Sequence, residues 1–443
     1  METSRSQVVE LSYTLALGIP ENILVEILSK LPVKSLLRFL CVSQEWHALT
    51  KSSYFIARHL VHHSSCSDQI RPCLLFLSSL AGNFEDDCKP RLGFSLLRDE
   101  EITFLGLPSL PNLTIKTAAL KLVGSSNGLV FCHVIDTENW TSTTEEKHDI
   151  ASRFRELLLV WNPATQQFRC LPEPKNNISL EQEEEATSVL FAFDCVHDHD
   201  ISEYKLVRVF SHGSDDPTDH GKEVTTFEAQ VFIRSTNSWR QVKDKLAFPS
   251  YKSCFESTAT TLNGVLYWKV VQKSDECYVL SFSLHEEVFS IIQLPICIRY
   301  LNRDDYNWTT VPLYSWKDSP AIVVTDYSAN GNPNIVFWVM STNEESKSNT
   351  NESGTQMRTP TWVQQVRLKY SVLDGFGMIG RWKDQFLFTS KKTNEAAGAT
   401  DDIEPEDLFL YDPRSDTKRK IVKHAVRIKF IQVENYVESL LPV

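Results

Sequence analysis

The sequence lacks the short motifs that mark most enzymes. It contains no Gly-x-Ser-x-Gly elbow, no P-loop, no His-Glu-x-x-His helix and no dinucleotide fingerprint. It has no run of about 18 apolar residues, so no transmembrane helix is expected. Residues 1–17 lack the basic end and apolar run of a signal peptide. Since phosphate contacts need clustered Lys and Arg, the net charge of −12 argues against a nucleic-acid partner.

Regularly spaced cysteines are also missing. The 10 cysteines include no Cys-x-x-Cys pair, so we expect reduced thiols in a cytoplasmic or nuclear protein. Cys195, His197 and His199 alternate along the chain and would share one face of a strand. A metal site there is an alternative to a solvated loop, but no second ligand pair stands nearby. No cofactor is expected.

The first sixty residues have the periodicity of short helices. Apolar residues between Ile19 and Leu31 form one stripe, and Pro32 ends that helix and begins the next. Further helices are predicted over 33–40, 42–49 and 54–61. A module of about forty residues hides little apolar surface by itself. Either it is the first layer of a larger core, or its leftover stripe meets a partner. Residues 19–60 carry five basic and three acidic side chains, which suggests an acidic partner.

Residues 19–39 and the run Cys41-Val42-Ser43 followed by Trp46 resemble the F-box. The resemblance implies binding to the Skp linker of an SCF (Skp–cullin–F-box) ubiquitin ligase, and through it to cullin and RING subunits. By this analogy, the residues at or near the Skp interface are Pro20, Ile23, Leu24, Ile27, Leu28, Leu31, Pro32, Val33 and Leu36. Some of these are expected to be internal core. Cys41, Val42 and Trp46 are expected to hold the helices together and to shape the remaining contact.

Beyond residue 72 the pattern changes to short β-rich runs separated by Gly, Asn and Pro turns. Asn127-Gly128 returns as Asn263-Gly264, and other strand and turn elements recur with them. The predicted units are 72–108, 122–172, 187–242, 258–295, 318–368 and 376–421. Units of roughly 40–50 residues are typical of propeller blades. The segment 425–431 is predicted to close the ring as a strand.

The turns Asn127-Gly128-Leu129 and Trp161-Asn162-Pro163, with the ending 436–440, resemble the F-box-associated (FBA), kelch-like domain of plant F-box proteins. The fold class is therefore expected to be α+β multidomain, a small helical F-box followed by an all-β propeller of about six blades. The expected domains are a flexible N-terminus (1–17), the F-box (18–63) and the propeller (64–443).

The resemblance implies a non-catalytic substrate receptor, whose propeller binds a protein for ubiquitination. The alternative is a propeller that binds a glycan or small ligand and recruits the protein bearing it. An enzyme with carboxylates on the propeller axis is the rival from another class. Tryptophans can stack on a sugar, but Trp161, Trp239, Trp268 and Trp338 stand at repeat-equivalent or strand positions, so we expect them in the blade core.

Strands of a blade, labelled A to D outward from the axis, place B–C and D–A connections on one face and A–B and C–D on the other. Insertions 135–156, 211–226 and 391–406 are predicted between strands B and C, and 342–361 between C and D. We therefore predict that the B–C face holds the substrate, since rigid scaffolds carry variable recognition on loops. Solvated spacers are the alternative.

Overall fold

A computed structural model gives the architecture of the chain, and it confirms helices followed by a β-propeller. The described residues are 20–65, 73–80, 91–98, 101–107, 119–136, 155–174, 186–195, 201–215, 223–249, 251–252, 259–272, 276–295, 313–316, 319–326, 334–341, 347–350, 356–369, 376–382, 385–390, 407–421 and 428–443. None of the helices in these ranges has the length and apolar character needed to cross a bilayer.

The N-terminal module has four helices, close to the four that the periodicity predicts. They are α1 (Glu21–Leu28), α2 (Val33–Phe39), α3 (Gln44–Lys51) and α4 (Ser53–Ser65). Pro20 and Pro32, both in extended backbone, precede α1 and α2. Proline is tolerated at these positions, because the N–H that it lacks would have no partner within the helix. Ser43 caps α3, since its side chain accepts a hydrogen bond from the Trp46 amide.

Blades 1 to 3 are antiparallel sheets. Blade 1 contains β1 (Cys73–Leu80), β2 (Arg91–Arg98) and β3 (Glu101–Gly106). Blade 2 contains β4 (Ala119–Ser126), β5 (Leu129–Asp136), β6 (Arg155–Asn162) and β7 (Gln167–Cys170). Blade 3 contains β8 (Ala186–Cys195), β9 (Tyr204–Asp215), β10 (Glu223–Ile233) and β11 (Ser238–Gln241), and β12 (Leu246–Pro249) also pairs with β10.

Blades 4 to 6 complete the ring. Blade 4 contains β13 (Tyr251–Lys252), β14 (Thr260–Leu262), β15 (Val265–Gln272), β16 (Cys277–Ser283) and β17 (Phe289–Gln293). Blade 5 contains β18 (Leu313–Trp316), β19 (Ser319–Asp326), β20 (Asn334–Met340) and β23 (Trp362–Lys369). Blade 6 contains β24 (Phe376–Trp382), β25 (Gln385–Ser390), β26 (Leu408–Asp412) and β27 (Thr417–Lys420).

The predicted C–D insertion of blade 5 contributes to the neighbouring blade. It forms β21 (Lys347–Thr350) and β22 (Gln356–Thr359), an antiparallel pair. β22 then pairs in parallel with β17, the outer strand of blade 4. The insertion is therefore partly sheet, which its Ser- and Asn-rich composition does not predict. β22 also covers an outer edge that would otherwise be unpaired.

The last strand, β28 (Ile428–Tyr436), closes the ring. It pairs antiparallel with β1, from Cys73 opposite Tyr436 to Leu80 opposite Ile428. Blade 1 thus takes three strands from its start and one from the chain's end, as predicted, although β28 lies a few residues beyond the predicted 425–431. The Gln432 side chain accepts a hydrogen bond from the Leu122 amide at 2.7 Å, which ties β28 to blade 2.

The repeated turns have a repeated backbone. Asn127-Gly128 and Asn263-Gly264 both have positive φ at each residue, as a type I′ hairpin turn requires. The turns before the outer strands also repeat a left-handed residue, at Gln166, Asn237, Glu287 and Asp416. Matching turns at matching positions confirm the repeat.

The propeller core lies between blades. Separate apolar clusters fill the contacts of blades 1–2, 2–3, 3–4, 4–5, 5–6 and 6–1. Trp161 and Trp268 are fully buried in these layers, as predicted, whereas Trp239 and Trp338 are half-buried at the cluster margins. Because apolar layers link all six neighbouring pairs, the ring is closed.

Candidate functional site

The first helix divides its apolar stripe between an internal and an external face. Leu24, Val25 and Leu28 are buried against α2 and α4. Ile23 and Ile27 are 48% and 49% exposed. Exposed Ile is unremarkable singly, but two on successive turns of one short helix form a continuous apolar surface.

The nine residues predicted near the Skp interface therefore separate into three groups. Pro20, Ile23, Ile27 and Pro32 are exposed, and Leu31 is half-buried. The buried ones, which belong to the interior of the module in the free chain, are Leu24, Leu28, Val33 and Leu36. The expectation that some of the nine are internal core agrees with this burial. We call Pro20, Ile23, Ile27 and Pro32 the α1 surface.

Two of the three residues expected to hold the helices together lie on the surface instead. Cys41 is exposed, and Val42 is 59% exposed. Both follow the end of α2, where the Val42 amide bonds back to the Phe39 carbonyl and the side chains turn outward. Trp46 does pack internally, with its ring 5.4 Å from that of Phe39 in an edge-on arrangement.

Charged side chains flank the α1 surface. The Glu26 carboxylate lies 2.9 Å from Lys30 Nζ and 3.0 Å from Arg58 Nη2. Hydrogen bonds from Lys30 and then Arg58 lower the pKa of Glu26, so it is ionised at neutral pH. Such exposed pairs add little stability. Their effect is to neutralise the Glu26 carboxylate next to Ile27 with two basic groups.

α4 joins the module to the propeller. Its residues Ile56 and Leu60 pack in the cluster between blades 2 and 3. On another face, His59 is buried, with Nε2 3.0 Å from the Leu31 carbonyl oxygen. Burial is the main cause that lowers the pKa of His59 to about 4, and neighbouring His63 adds to it. His59 is therefore neutral at pH 7.

The neutral His59 predicts an acid-labile module. The unfolded chain takes up a proton on this side chain below about pH 6.5, whereas the folded chain does so only near pH 4. The stabilisation is therefore complete above pH 6.5 and is lost as the pH falls toward 4, by about 2 kcal/mol between pH 7.5 and 5. Urea denaturation of wild type and His59→Gln at pH 7.5 and at pH 5 measures this loss of stability. The variant should lose less stability on acidification, whereas His47→Gln, at an exposed histidine, should behave as wild type. An equal loss in all three proteins would contradict the assignment.

The predicted substrate face is only partly described. Most of 135–156 and all of 391–406 lie outside the described residues. In the third insertion, 211–226, the described residues belong to β9 and β10, with Asp215 opposite Glu223. All three do connect strands B and C of their blades, as predicted.

The alternating Cys195, His197 and His199 do not form a described metal site. Cys195 is buried between blades 2 and 3, and burial raises the pKa of its thiol to about 12. His197 and His199 lie outside the described residues. Within the described ranges, His, Cys, Asp and Glu do not cluster in threes suited to a metal ion.

Comparisons with known proteins agree with this architecture. The family described as F-box domain matches residues 17–58, and the family described as F-box associated beta propeller domain matches residues 91–427. Both matches fall on the parts of the structure that have the corresponding fold.

Relatives from Arabidopsis thaliana are named as F-box proteins, and one of the names also mentions kelch repeats. "F-box only protein 8" is 27% identical over 62% of this chain and 80% of its own length. "F-box protein At2g21930" is 28% identical over 66% of each chain. "Putative F-box/kelch-repeat protein At1g12870" is 25% identical over 64% of this chain, and the match spans 59% of that relative.

Solved structures are matched only distantly. A prolyl endopeptidase has a TM-score of 0.28 and 8% identity, over 89% of this chain and 57% of its own. Likeness at that level bears on neither fold nor function. The family match, in contrast, covers most of the chain and includes strands of all six blades. The chain belongs to the F-box proteins that carry an F-box-associated β-propeller domain.

Proposed function

We propose that the chain is the substrate-recognition subunit of an SCF ubiquitin ligase, in which the F-box docks on the Skp linker and the propeller binds a protein substrate. The observation that carries the proposal is the α1 surface, an apolar face left open on a folded F-box. Cullin and RING subunits would join through Skp.

The α1 surface has the chemistry of a docking face. Burying a large aliphatic side chain contributes about 1.5–3 kcal/mol, so Ile23 and Ile27 alone supply a substantial part of a stable association. Exposed Lys34 and Arg38 lie on α2, and exposed Lys30 lies in the turn between α1 and α2. Basic groups around an apolar centre favour a partner with an acidic rim, since complementary charge speeds association.

In this proposal the chain does no chemistry itself, and it requires no cofactor. It would hold a substrate lysine near the charged conjugating enzyme, so that transfer becomes effectively intramolecular. We propose the cytoplasm and/or nucleus as the compartment. The six cysteines within the described ranges are free thiols, which agrees with a reducing environment.

We further propose that the substrate binds on the B–C face. α4 and the chain end pack at the A–B and C–D turns of blade 2, so the F-box occupies the opposite face. β5 runs eight residues between the two faces, a separation of about 25 Å. A substrate on the B–C face would leave the α1 surface open to Skp.

Replacing 391–406 with a short Gly-Ser linker should weaken substrate capture and spare Skp binding. The segment joins β25 and β26, and the four strands of blade 6 pair without any residue of 391–406, so the blade should persist. Proteins cross-linked to the Skp-bound chain in cell extract would be compared between wild type and variant. Shortening 351–355, between β21 and β22 at the rim, is the control. Unchanged capture by the 391–406 variant would reject this face.

The test of Skp docking is co-purification of the full chain with a co-expressed Skp linker. Wild type is compared with Ile27→Asp, which changes the α1 surface without touching the internal cluster. A folded wild-type chain that fails to retain Skp would overturn the proposed function.

A further inference from the structure

The chain's last seven residues, 437–443, lie where the F-box meets the propeller; we call them the terminal segment. They leave β28 after Tyr436 and cross the A–B and C–D turns of blade 2. Ser439 and Leu441 are fully buried. A segment buried to this degree is held by specific contacts.

One blade-2 side chain holds the terminal segment by hydrogen bonds. Asn162 is fully buried, and its Nδ2 donates to the carbonyl oxygens of Ser439 and Leu441 at 3.1 and 2.8 Å. Its Oδ1 accepts from the amides of Ala164 and Thr165 in its own turn. The turn requires the acceptor Oδ1 and the terminal segment requires the donor Nδ2, so an amide side chain is needed to bind both.

Blade 6 shows the same turn without the segment. Asp412 precedes Pro413 as Asn162 precedes Pro163, and its Oδ1 accepts from the Arg414 amide at 2.8 Å. The other oxygen, Oδ2, accepts from Gln385 Nε2 at 3.4 Å. A carboxylate therefore suffices where the second atom of the side chain faces a donor and not two carbonyl oxygens. Position 162 needs an amide because its side chain must donate to the two carbonyl oxygens of the terminal segment.

The terminal segment also packs closely against the A–B turn of blade 2. Gly128 has φ of +82°, and a Cβ built there would lie 2.5 Å from the Val437 carbonyl oxygen and 2.7 Å from Ser439 Cβ. Gly264, the equivalent residue of blade 4, has φ of +73° and nothing within 4 Å of such an atom. The backbone strain of a substitution is alike at both, but only Gly128 contacts the segment.

The terminal segment also contacts the F-box and blade 1. Leu440 packs against the internal cluster of the F-box and against the blade 2–3 cluster that includes Ile56 and Leu60 of α4. Glu438 pairs with Arg98 of β2. The segment therefore bridges the F-box and two blades.

From these contacts we infer that the terminal segment is a joint that fixes the orientation of the F-box on the propeller, with Asn162 and Leu440 as positioning residues. The role in ubiquitin transfer rests on the proposed function, because orientation sets where a bound substrate lies relative to the conjugating enzyme. The mechanical role does not depend on Skp. An Asp at 162 would direct a carboxylate at two carbonyl oxygens and release the segment.

The test measures the distance between the two domains. Cys41 in the F-box and Cys170 in β7 are exposed and take spin labels, while the other described cysteines are buried. Cys66, Cys88, Cys254 and Cys297 are replaced by Ser. The distance distribution of the full chain, without Skp, should be narrow in wild type and in Asp412→Asn. In Asn162→Asp it should widen or shift. A distribution identical to wild type would overturn the joint.

A second pair of variants keeps the test decisive if Asn162→Asp does not fold. Gly128→Ala should widen the distance distribution, and Gly264→Ala should not, although both add the same strain. Equal distributions would overturn the inference. In an assembled SCF, Asn162→Asp should retain Skp binding but transfer ubiquitin more slowly at saturating Skp. Loss of Skp binding in wild type would instead refute the proposed function and leave the distance result standing.

Discussion

Ile27→Asp should abolish co-purification with a Skp linker while the F-box stays folded. Ile27 is half-exposed and lies outside the internal cluster of the module. A carboxylate at the centre of an apolar contact must either lose its hydration or hold the surfaces apart. Central apolar residues of interfaces contribute about 2 kcal/mol or more, so the dissociation constant should rise by about 30-fold or more. Titration calorimetry with purified Skp gives the number.

The matched control uses an exposed valine of the propeller. Val363 in β23 is exposed to a similar degree, and Val363→Asp should leave Skp affinity at the wild-type value. Leu28→Asp is not a suitable variant, because Leu28 is 2% exposed. A loss of Skp binding by that variant would result from unfolding of the F-box. Circular dichroism distinguishes the two causes. Retained binding by a folded Ile27→Asp variant would remove the α1 surface from the interface.

The contrast between Ile27 and Leu28 shows what helical periodicity can predict. Both residues belong to one apolar stripe, and hydrophobicity does not distinguish them. Burial is decided by Phe55 of α4 and Leu36 of α2, which pack on one half of that stripe. Those contacts join residues far apart in sequence. The sequence therefore predicts the stripe as a whole, and the structure divides it into core and surface.

The propeller was predictable where its signals are local. Asn-Gly turns recur in blades 2 and 4, and alternating strands recur along the chain, so a count of about six blades and their order follow from the sequence alone. The pairing of β22 with β17 does not follow, since the two strands are more than sixty residues apart and belong to different units. The exposure of Cys41 and Val42 does not follow from the sequence for a related reason: an apolar residue in a short interhelical turn has no periodicity to show its direction.

The joint was also invisible in the sequence, although its residues were noticed. Asn162 and the ending Tyr436–Leu440 both belong to the family resemblance, but Ser439 follows Asn162 by 277 residues in the sequence. Their contact depends on β28 returning to blade 1. Ring closure is thus a precondition for the joint, and it is testable separately.

Ending the chain at residue 427 should eliminate the folded propeller. The truncation removes β28, which pairs with all eight residues of β1. It also removes Val433 from the blade 6–1 cluster and Tyr436 from the blade 1–2 cluster. Each buried apolar side chain contributes about 1.5–3 kcal/mol, so with the lost strand pairing the cost should exceed about 5 kcal/mol. That is comparable with the whole stability of many proteins.

Ending the chain at Tyr436 separates closure from the joint. This truncation keeps β28 but removes the terminal segment, so β1 should retain slow amide hydrogen exchange while α4 exchanges faster. The 427 truncation should give fast exchange throughout blades 1 and 6, or no soluble protein. Mass spectrometry of exchanged peptides resolves each segment. If both truncations protected β1 equally, β28 would not be what closes the ring. The difference expected between the two truncations follows from the topology. The chain first completes the sheet of blade 1 as β28 and then contacts the F-box as the terminal segment.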